Sequence, residues 1–491
     1  MDHKRVLILS AAIGSGHKTA AKALETAFRR RPHVTVVNED VLEMTNETYR
    51  IMSAELYLQS VKHVPWLVGW TYQYNDEPFK NEEPMRKLWD QLNTQPVVKF
   101  LKEYRPDICV CTHFTPAGIV AQLVASGQLD TALSVVTTDY DFQGMWLSRT
   151  FTRYFVAREE ARARLIDFDV NPDRVTVSGI PVNEQFGQPL DRQAVLDTYE
   201  LDGDLPIILV SAGAVGGGPA RAIVAQLMRL NVQVVVVCGS NADLRREVEA
   251  LTLPLRSRFR VLGFTSDMPD LVRAATLFIG KPGGLTASEC MAAGTPLAIV
   301  MPIPGQEERN SDYLLEEGAA VRCNDIETVS YKIGQLLANP QRLAKLRENA
   351  RRIGRADAAA LIAATTLADE NAPVKYNWRT QKRMFRNAPS DKDPLANVER
   401  MLFGTVGGVE ESLALYEDET GIYLGTLAPA QYRALRKHVR NLDDELAITV
   451  LTRDDLDRIR KLGLGSDLVD KLDRRIHFHG PITLRRVRIT A

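Results

Sequence analysis

The chain has 491 residues, 45% hydrophobic and 25% charged, with a formal net charge of -1, room for roughly three domains at about 150 residues each. So neutral a balance argues against nucleic acid as the main partner, because binding a phosphate backbone needs a basic footprint, although the total can hide local basic patches. No run reaches the ~18 apolar residues of a spanning helix, and MDHKRVLILSAAIGSGH turns into glycines too soon for a secretory signal, so a cytoplasmic protein, soluble or peripheral to a membrane, is expected.

Arg5 to Ser10 reads as a strand, followed by the turn AIGSGH and a helix from about Lys18 to Arg30. His33 to Val37, Ile108 to Cys111 and Ser134 to Thr137 are further strands. After a join near Pro181 to Arg192 the rhythm repeats: Pro206 to Ser211, Val232 to Cys238, Arg260 to Leu262, Leu277 to Gly280 and Leu297 to Met301. Strands apolar on both faces, with helices between them, predict an α/β fold of two doubly wound parallel sheets. Ligands in such sheets sit at the carboxyl ends of the strands.

Residues 1–185 are expected to form the first domain, 186–370 the second, 371–400 a linker and 401–491 a small α+β module. In that module SLALYEDETGIYLG reads as a hairpin with Glu419-Thr420-Gly421 at its turn, and helices are predicted over 429–439 and 454–462, with no catalytic constellation. His477 and His479 read as solvated. The five cysteines (Cys109, Cys111, Cys238, Cys290, Cys323) read as buried thiols of a reducing compartment.

The segment Gly280-Lys281-Pro282-Gly283-Gly284-Leu285-Thr286 leaves a strand and opens a helix. Its amides after Gly283 point outward at the helix's positive end, which suits a diphosphate. Glu289, about one and a half turns in, can accept both ribose hydroxyls. An ordinary strand–turn–helix corner is the alternative for this segment alone. A second glycine turn, with Gly213 and Gly216, can meet phosphates or sugar from the other side. The first turn, Gly14-Ser15-Gly16-His17-Lys18-Thr19, is neither a P-loop, since His17 parts Gly16 from Lys18, nor a dinucleotide fingerprint, since Thr19 replaces the third glycine. It places His17 at a helix N-terminus, which keeps the imidazole neutral and able to accept a proton.

The run from Gly263 to Ala320, together with LILSAAIGSGHKTAAKAL, VVTTDYDFQGMW, VTVSGIPV and VVCGSN, resembles the monogalactosyldiacylglycerol synthases and bacterial processive diacylglycerol glucosyltransferases, over about Lys4 to Leu367. The resemblance implies a GT-B fold and an inverting transfer of a hexose from a UDP-sugar to a lipid hydroxyl of the diacylglycerol type, giving a β-glycolipid. It implies that Gly283, Gly284 and Thr286 meet the diphosphate, Glu289 the ribose, Gln306 and Glu307 the sugar, and Phe264 and Met268 the uracil, with Leu285 also on the donor side. His17 and Asp139 are the implied bases, with Gly16 and His113 on the acceptor side. Helix-end amides can stabilise the departing diphosphate, so no metal or other cofactor is expected. Asp139-Tyr140-Asp141 spells the D-x-D of metal-dependent transferases, but on the acceptor side it reads as coincidence. Gln143 stands where many relatives carry histidine and can take no proton. A polyprenyl-linked or soluble acceptor, a 2-epimerase, and a non-catalytic UDP-sugar-binding regulator are the competing readings.

Residues 57–74 carry Trp66, Trp70 and further aromatics with few charges, as an interfacial segment would; a buried core helix is the alternative. Residues 375–386 hold five Lys or Arg and no acid, suited to an anionic membrane surface or to a solvated basic linker. Location at the inner face of the cell membrane is the resulting expectation.

Overall fold

The computed structural model describes residues 3–11, 16–45, 76, 94–213, 219–375 and five strands between 400 and 488. The chain forms two compact units, Met1–Tyr376 and Asn377–Ala491.

The first unit opens with β1 (Lys4–Ser10), α1 (Gly16–Arg29), β2 (Val34–Asp40), α2 (Val41–Met44), α3 (Gln95–Tyr104), β3 (Ile108–Cys111), α4 (Phe114–Ala125) and β4 (Ala132–Val136). Next come β5 (Thr150–Phe151), β6 (Arg153–Val156), α5 (Glu159–Asp167) and β7 (Val175–Val177). The second half runs α6 (Arg192–Thr198), β8 (Ile207–Ser211), α7 (Ala220–Leu227), β9 (Gln233–Val237), α8 (Ala242–Thr252), β10 (Phe259–Leu262), α9 (Met268–Ala274) and β11 (Leu277–Gly280). It continues with α10 (Gly284–Ala293), β12 (Leu297–Val300), α11 (Gln306–Glu316), β13 (Ala320–Cys323), α12 (Val329–Leu337) and α13 (Pro340–Ile353), and then α14 (Ala358–Ala368) and β14 (Val374–Lys375).

Two six-stranded sheets result, in the orders β2-β1-β3-β4-β6-β7 and β10-β9-β8-β11-β12-β13, and each is parallel throughout. The strands are apolar on both faces because helices cover both: Leu7 and Leu9 enter one core and Val6 and Ile8 another, while Ile207 and Leu209 are likewise parted from Ile208 and Val210. The α/β doubly wound fold expected from the sequence is therefore present twice. Strand order reverses between β1 and β3 in the first sheet and between β8 and β11 in the second, and such switch points open crevices at the strands' carboxyl ends.

Strands β6, β7 and β13 were not foreseen in the sequence. Three or four residues each, two of them at sheet edges, they offer too short a pattern to stand out. Helix α14 falls within the span expected for the second domain, yet Ala359, Ile362 and Ala363 pack in the core beneath the first sheet, against Val6, Ile8 and Phe28. Arg31 Nη2 donates to Ala360 O at 3.2 Å, the nearly buried pair Arg153–Asp369 closes at 2.6 Å, and β14 pairs antiparallel with β5.

All five cysteines are buried and free; burial pushes the Cys109 thiol up to about 12, which keeps it inert. In the second unit β15 (Arg400–Thr405), β19 (Ile482–Arg488) and β18 (Ala447–Leu451) form an antiparallel sheet. The expected hairpin is β16 (Leu413–Asp418) and β17 (Gly421–Thr426), with Asp418 opposite Gly421. The helices read over 429–439 and 454–462, with His477 and His479, lie outside the described residues.

Candidate active site

His17 is the second residue of α1, which starts beyond β1 at the switch point of the first sheet. Its Nδ1 lies 2.9 Å from the Thr112 carbonyl oxygen and 2.9 Å from Thr138 Oγ1. A carbonyl only accepts, so Nδ1 carries the proton and the neutral ring holds its lone pair on Nε2. Burial brings the imidazole down to about 4, against the opposing bond to Thr112. Thr112 also donates Oγ1–H to the His17 carbonyl at 3.1 Å, pinning the turn.

His113 caps α4: its Nδ1 accepts the Thr115 amide at 3.1 Å, which leaves the ring proton on Nε2. The two imidazoles stand edge to face at 4.5 Å, with Trp146 6.4 Å from His17 and 6.3 Å from His113. Burial, then proximity to His17, holds His113 well below its ordinary range. Of the two lone pairs these opposite tautomers leave, the one on His17 Nε2 is engaged by no described residue. Gln143 is buried and caps the short helical turn Gly144–Trp146.

The second sheet brings α10 to the same place. Gly283 is its N-cap, and the left-handed Gly294 (φ 68°) ends it. A Cβ on Gly16 would lie 3.4 Å from Leu285 Cδ2, and one on Gly284 only 2.0 Å from the Thr138 carbonyl oxygen. The N-termini of α1 and α10 thus converge, two positive helix ends in one cleft. Leu285 is buried and Thr286 half-buried. Glu289, half-buried on α10, makes no hydrogen bond to a described residue, and burial raises its carboxyl to about 8.

Gly213 follows β8 with φ 78°, and among the described residues nothing beyond its chain neighbours lies within 4 Å of where a Cβ would be; Gly216 lies outside the described residues. Phe264 is 80% exposed, a free ring face after β10, and Met268 is half-buried where α9 begins.

Gln306 and Glu307 open α11. Glu307 Oε2 accepts the Ile303 amide at 2.7 Å, and its Oε1 would be 3.6 Å from a Cβ on Gly283. Burial raises this carboxyl, with the Ile303 amide and then Lys281 acting against it. Gln306 Nε2 donates to Asp139 Oδ2 at 2.6 Å, and Asn310 Nδ2 to Asp139 Oδ1 at 3.1 Å. Burial, then these two bonds acting against it, leaves Asp139 at about 6.

The sequence reading missed the rest of this contact. Gln306, Arg309, Asn310 and Tyr313, at the spacing of one helix face, hold the whole Asp139-Tyr140-Asp141 segment: Arg309 Nη1 bonds Asp141, Asn310 Oδ1 accepts the Tyr140 amide at 3.0 Å, and the Tyr140 and Tyr313 rings meet at 4.6 Å. Asp76 joins through Arg164 at 2.7 Å and Arg309 at 3.4 Å. The spacing was the available signal. Among the described residues no group of three His, Cys, Asp or Glu could hold a metal ion. Trp66 and Trp70 lie outside the described residues.

Residues 17–182 match the family of monogalactosyldiacylglycerol (MGDG) synthases and residues 220–353 the glycosyl transferases group 1. The chain is 30% identical over 378 residues to a processive diacylglycerol beta-glucosyltransferase of Bacillus mycoides, covering 77% of this chain and 96% of that one. It is 28% identical over 349 residues to the protein of the same name from Bacillus licheniformis, covering 71% and 90%. The S. aureus MnaA–UDP co-structure superposes with a TM-score of 0.50 at 13% identity, over 74% of this chain and 95% of that one, a likeness of fold. The chain belongs to the family of the monogalactosyldiacylglycerol synthases and processive diacylglycerol glucosyltransferases.

Proposed function

We propose that this chain is an inverting, UDP-sugar-dependent hexosyltransferase whose acceptor is the free hydroxyl of diacylglycerol and whose product is a β-glycolipid. One observation carries the reading. Two helix N-termini converge at two switch points, one bearing an imidazole with an Nε2 lone pair and the other a carboxyl, neither of them engaged by a described residue. A nucleoside diphosphate suits the second: phosphates on the α10 amides, ribose on Glu289, uracil bordered by Phe264 and Met268, and sugar toward Gln306 and Glu307.

His17 Nε2 takes the proton of the acceptor hydroxyl as its oxygen attacks the anomeric carbon. The bond from that carbon to the diphosphate breaks on the opposite face, and the electron pair leaves with UDP. A ring held near 4 by burial is a weak base, so proton transfer accompanies carbon–oxygen bond formation, when the hydroxyl is most acidic. The Thr112 carbonyl then steadies the imidazolium through Nδ1–H. Charge on the departing diphosphate meets the α10 amides, so transfer is expected to persist in EDTA without added metal.

No helix among the described residues is long and apolar enough to cross a membrane. A diacylglycerol acceptor lies in a bilayer, and in this reading the protein reaches it from the surface. We assign that contact to the Trp66 and Trp70 segment and the basic 375–386 stretch, which favours anionic lipid at the inner face of the membrane. Co-sedimentation with anionic vesicles, lost on deleting 57–74, is the expected result.

Radiolabelled UDP-glucose, UDP-galactose, UDP-GlcNAc and UDP-glucuronate incubated with diacylglycerol should yield a labelled glycolipid from at least one donor, resolved by thin-layer chromatography. His17→Ala should yield it about 10²- to 10⁴-fold more slowly. A free sugar epimer formed without acceptor, or no labelled lipid from any donor, would overturn the assignment.

A further inference from the structure

We propose that Asp139 is a positioning residue that fixes the polarity of the hydrogen bond Gln306 offers to the donor sugar, and so helps select the sugar. The inference rests on the reading of Gln306 as a sugar contact and goes beyond it by assigning what sets its chemistry.

Asp139 follows β4 in the first sheet, is 6% exposed, and reaches across the cleft to α11. Each of its carboxylate oxygens is engaged by a different amide, Oδ2 by Gln306 at 2.6 Å and Oδ1 by Asn310 at 3.1 Å. Asn310 cannot turn over, because its own Oδ1 accepts the Tyr140 amide at 3.0 Å. An ionised carboxylate only accepts, so Gln306 must present Nε2 to it. The far side of the same planar amide is then Oε1, an acceptor with no donor capacity. Next to it, Glu307 points Oε1 toward Gly283. The two side chains that open α11 therefore both present acceptors, and a sugar hydroxyl bonded to the Gln306 side chain has to donate. Asp139 is not free to swing toward the acceptor hydroxyl, since Arg309 on Asp141 and Tyr313 on Tyr140 fasten both following residues to the same helix. A buried acceptor left without its donor is penalised far more than an extra apolar contact is rewarded, which makes this polarity a means of discrimination.

The test uses the full chain with UDP-glucose and its monodeoxyfluoro analogues, whose fluorine cannot donate, and reads kcat and KM separately. UDP titrated by calorimetry reports folding and the nucleotide site. For the wild type, KM should rise about tenfold or more for the analogue fluorinated at the contacted hydroxyl. In D139N the new amide can donate to Gln306 Oε1 and let that side chain turn, so the penalty should fall to about threefold or less while UDP affinity holds within about twofold. Asp139→Ala, which frees Gln306 without supplying a donor, carries the same expectation. A wild-type penalty retained in both variants would overturn the proposal. So would a large loss of kcat with KM and the fluorine penalty unchanged, which is the signature of a base. If Gln306→Ala keeps the penalty, the sugar contact fails and the proposal with it, while an unchanged UDP titration leaves the nucleotide reading standing.

Discussion

The imidazole of His17 is kept neutral by burial, and its proton is kept on Nδ1 by a carbonyl. Between its ordinary 6.5 and about 4 the unfolded chain binds a proton that the fold does not. The stability this histidine contributes is therefore whole above 6.5 and lost as pH falls toward 4. His17→Gln should flatten the acid limb of a melting-temperature profile over that interval. At neutral pH, His17→Ala should slow transfer by about 10²- to 10⁴-fold with UDP affinity nearly unchanged, measured by single-turnover assay and calorimetry.

Glu289 has the opposite sign. Its carboxyl is held near 8 against an ordinary 4.5, so its contribution is whole below 4.5 and lost as pH rises to about 8. Glu289→Gln should raise the melting temperature at pH 8 and leave it unchanged at pH 4.5. Ribose hydroxyls favour the ionised form, so UDP binding near pH 7 should release protons, seen as a dependence of the binding heat on the buffer's ionisation enthalpy. Glu289→Ala should abolish that release and weaken UDP about 10- to 100-fold.

At the scale of elements, the start of α10 is where sequence and structure give different reasons for the same residue. Close approach of a diphosphate was the expected reason for both glycines. The structure gives Gly284 a prior one: the Thr138 carbonyl lies where its Cβ would be, 2.0 Å away, so the two sheets could not close over any other side chain. Gly284→Ala should part the halves, lower the melting temperature and abolish UDP binding. Gly283→Ala meets only Glu307 Oε1 at 3.6 Å, ordinary contact, and should melt like the wild type while losing UDP affinity if phosphate approaches there. The α11 face was legible as spacing but not as contact. Nothing near residue 306 says that its partner is residue 139.

Across the whole first unit, the last helix and strand decide whether the first sheet is covered. Ile362 is fully buried against it, and Ile362→Ala should cost about 2–5 kcal/mol by denaturant melt. A chain ended at 376 keeps α14 and β14, whereas one ended at 357 exposes Val6, Ile8 and Phe28. Only the first should stay soluble and bind UDP. Vesicle binding belongs to this scale too, since it depends on surface that no single element supplies.

By itself the sequence determined what is local. Apolar runs buried on both faces became parallel strands, glycine turns fell at strand ends, and the expected hairpin strands paired with Asp418 opposite Gly421. Its motifs were sufficient to place the chain in its family. Only the tertiary structure decided which atoms meet. Thr112 and Thr138 reach His17 from 95 and 121 residues away, and Gln306 reaches Asp139 from 167. Turn chemistry and hydrophobic period act over a few residues. The tautomer of a base, the polarity of an amide and the seat of α14 are set by how two sheets come to rest against each other, which no local pattern encodes.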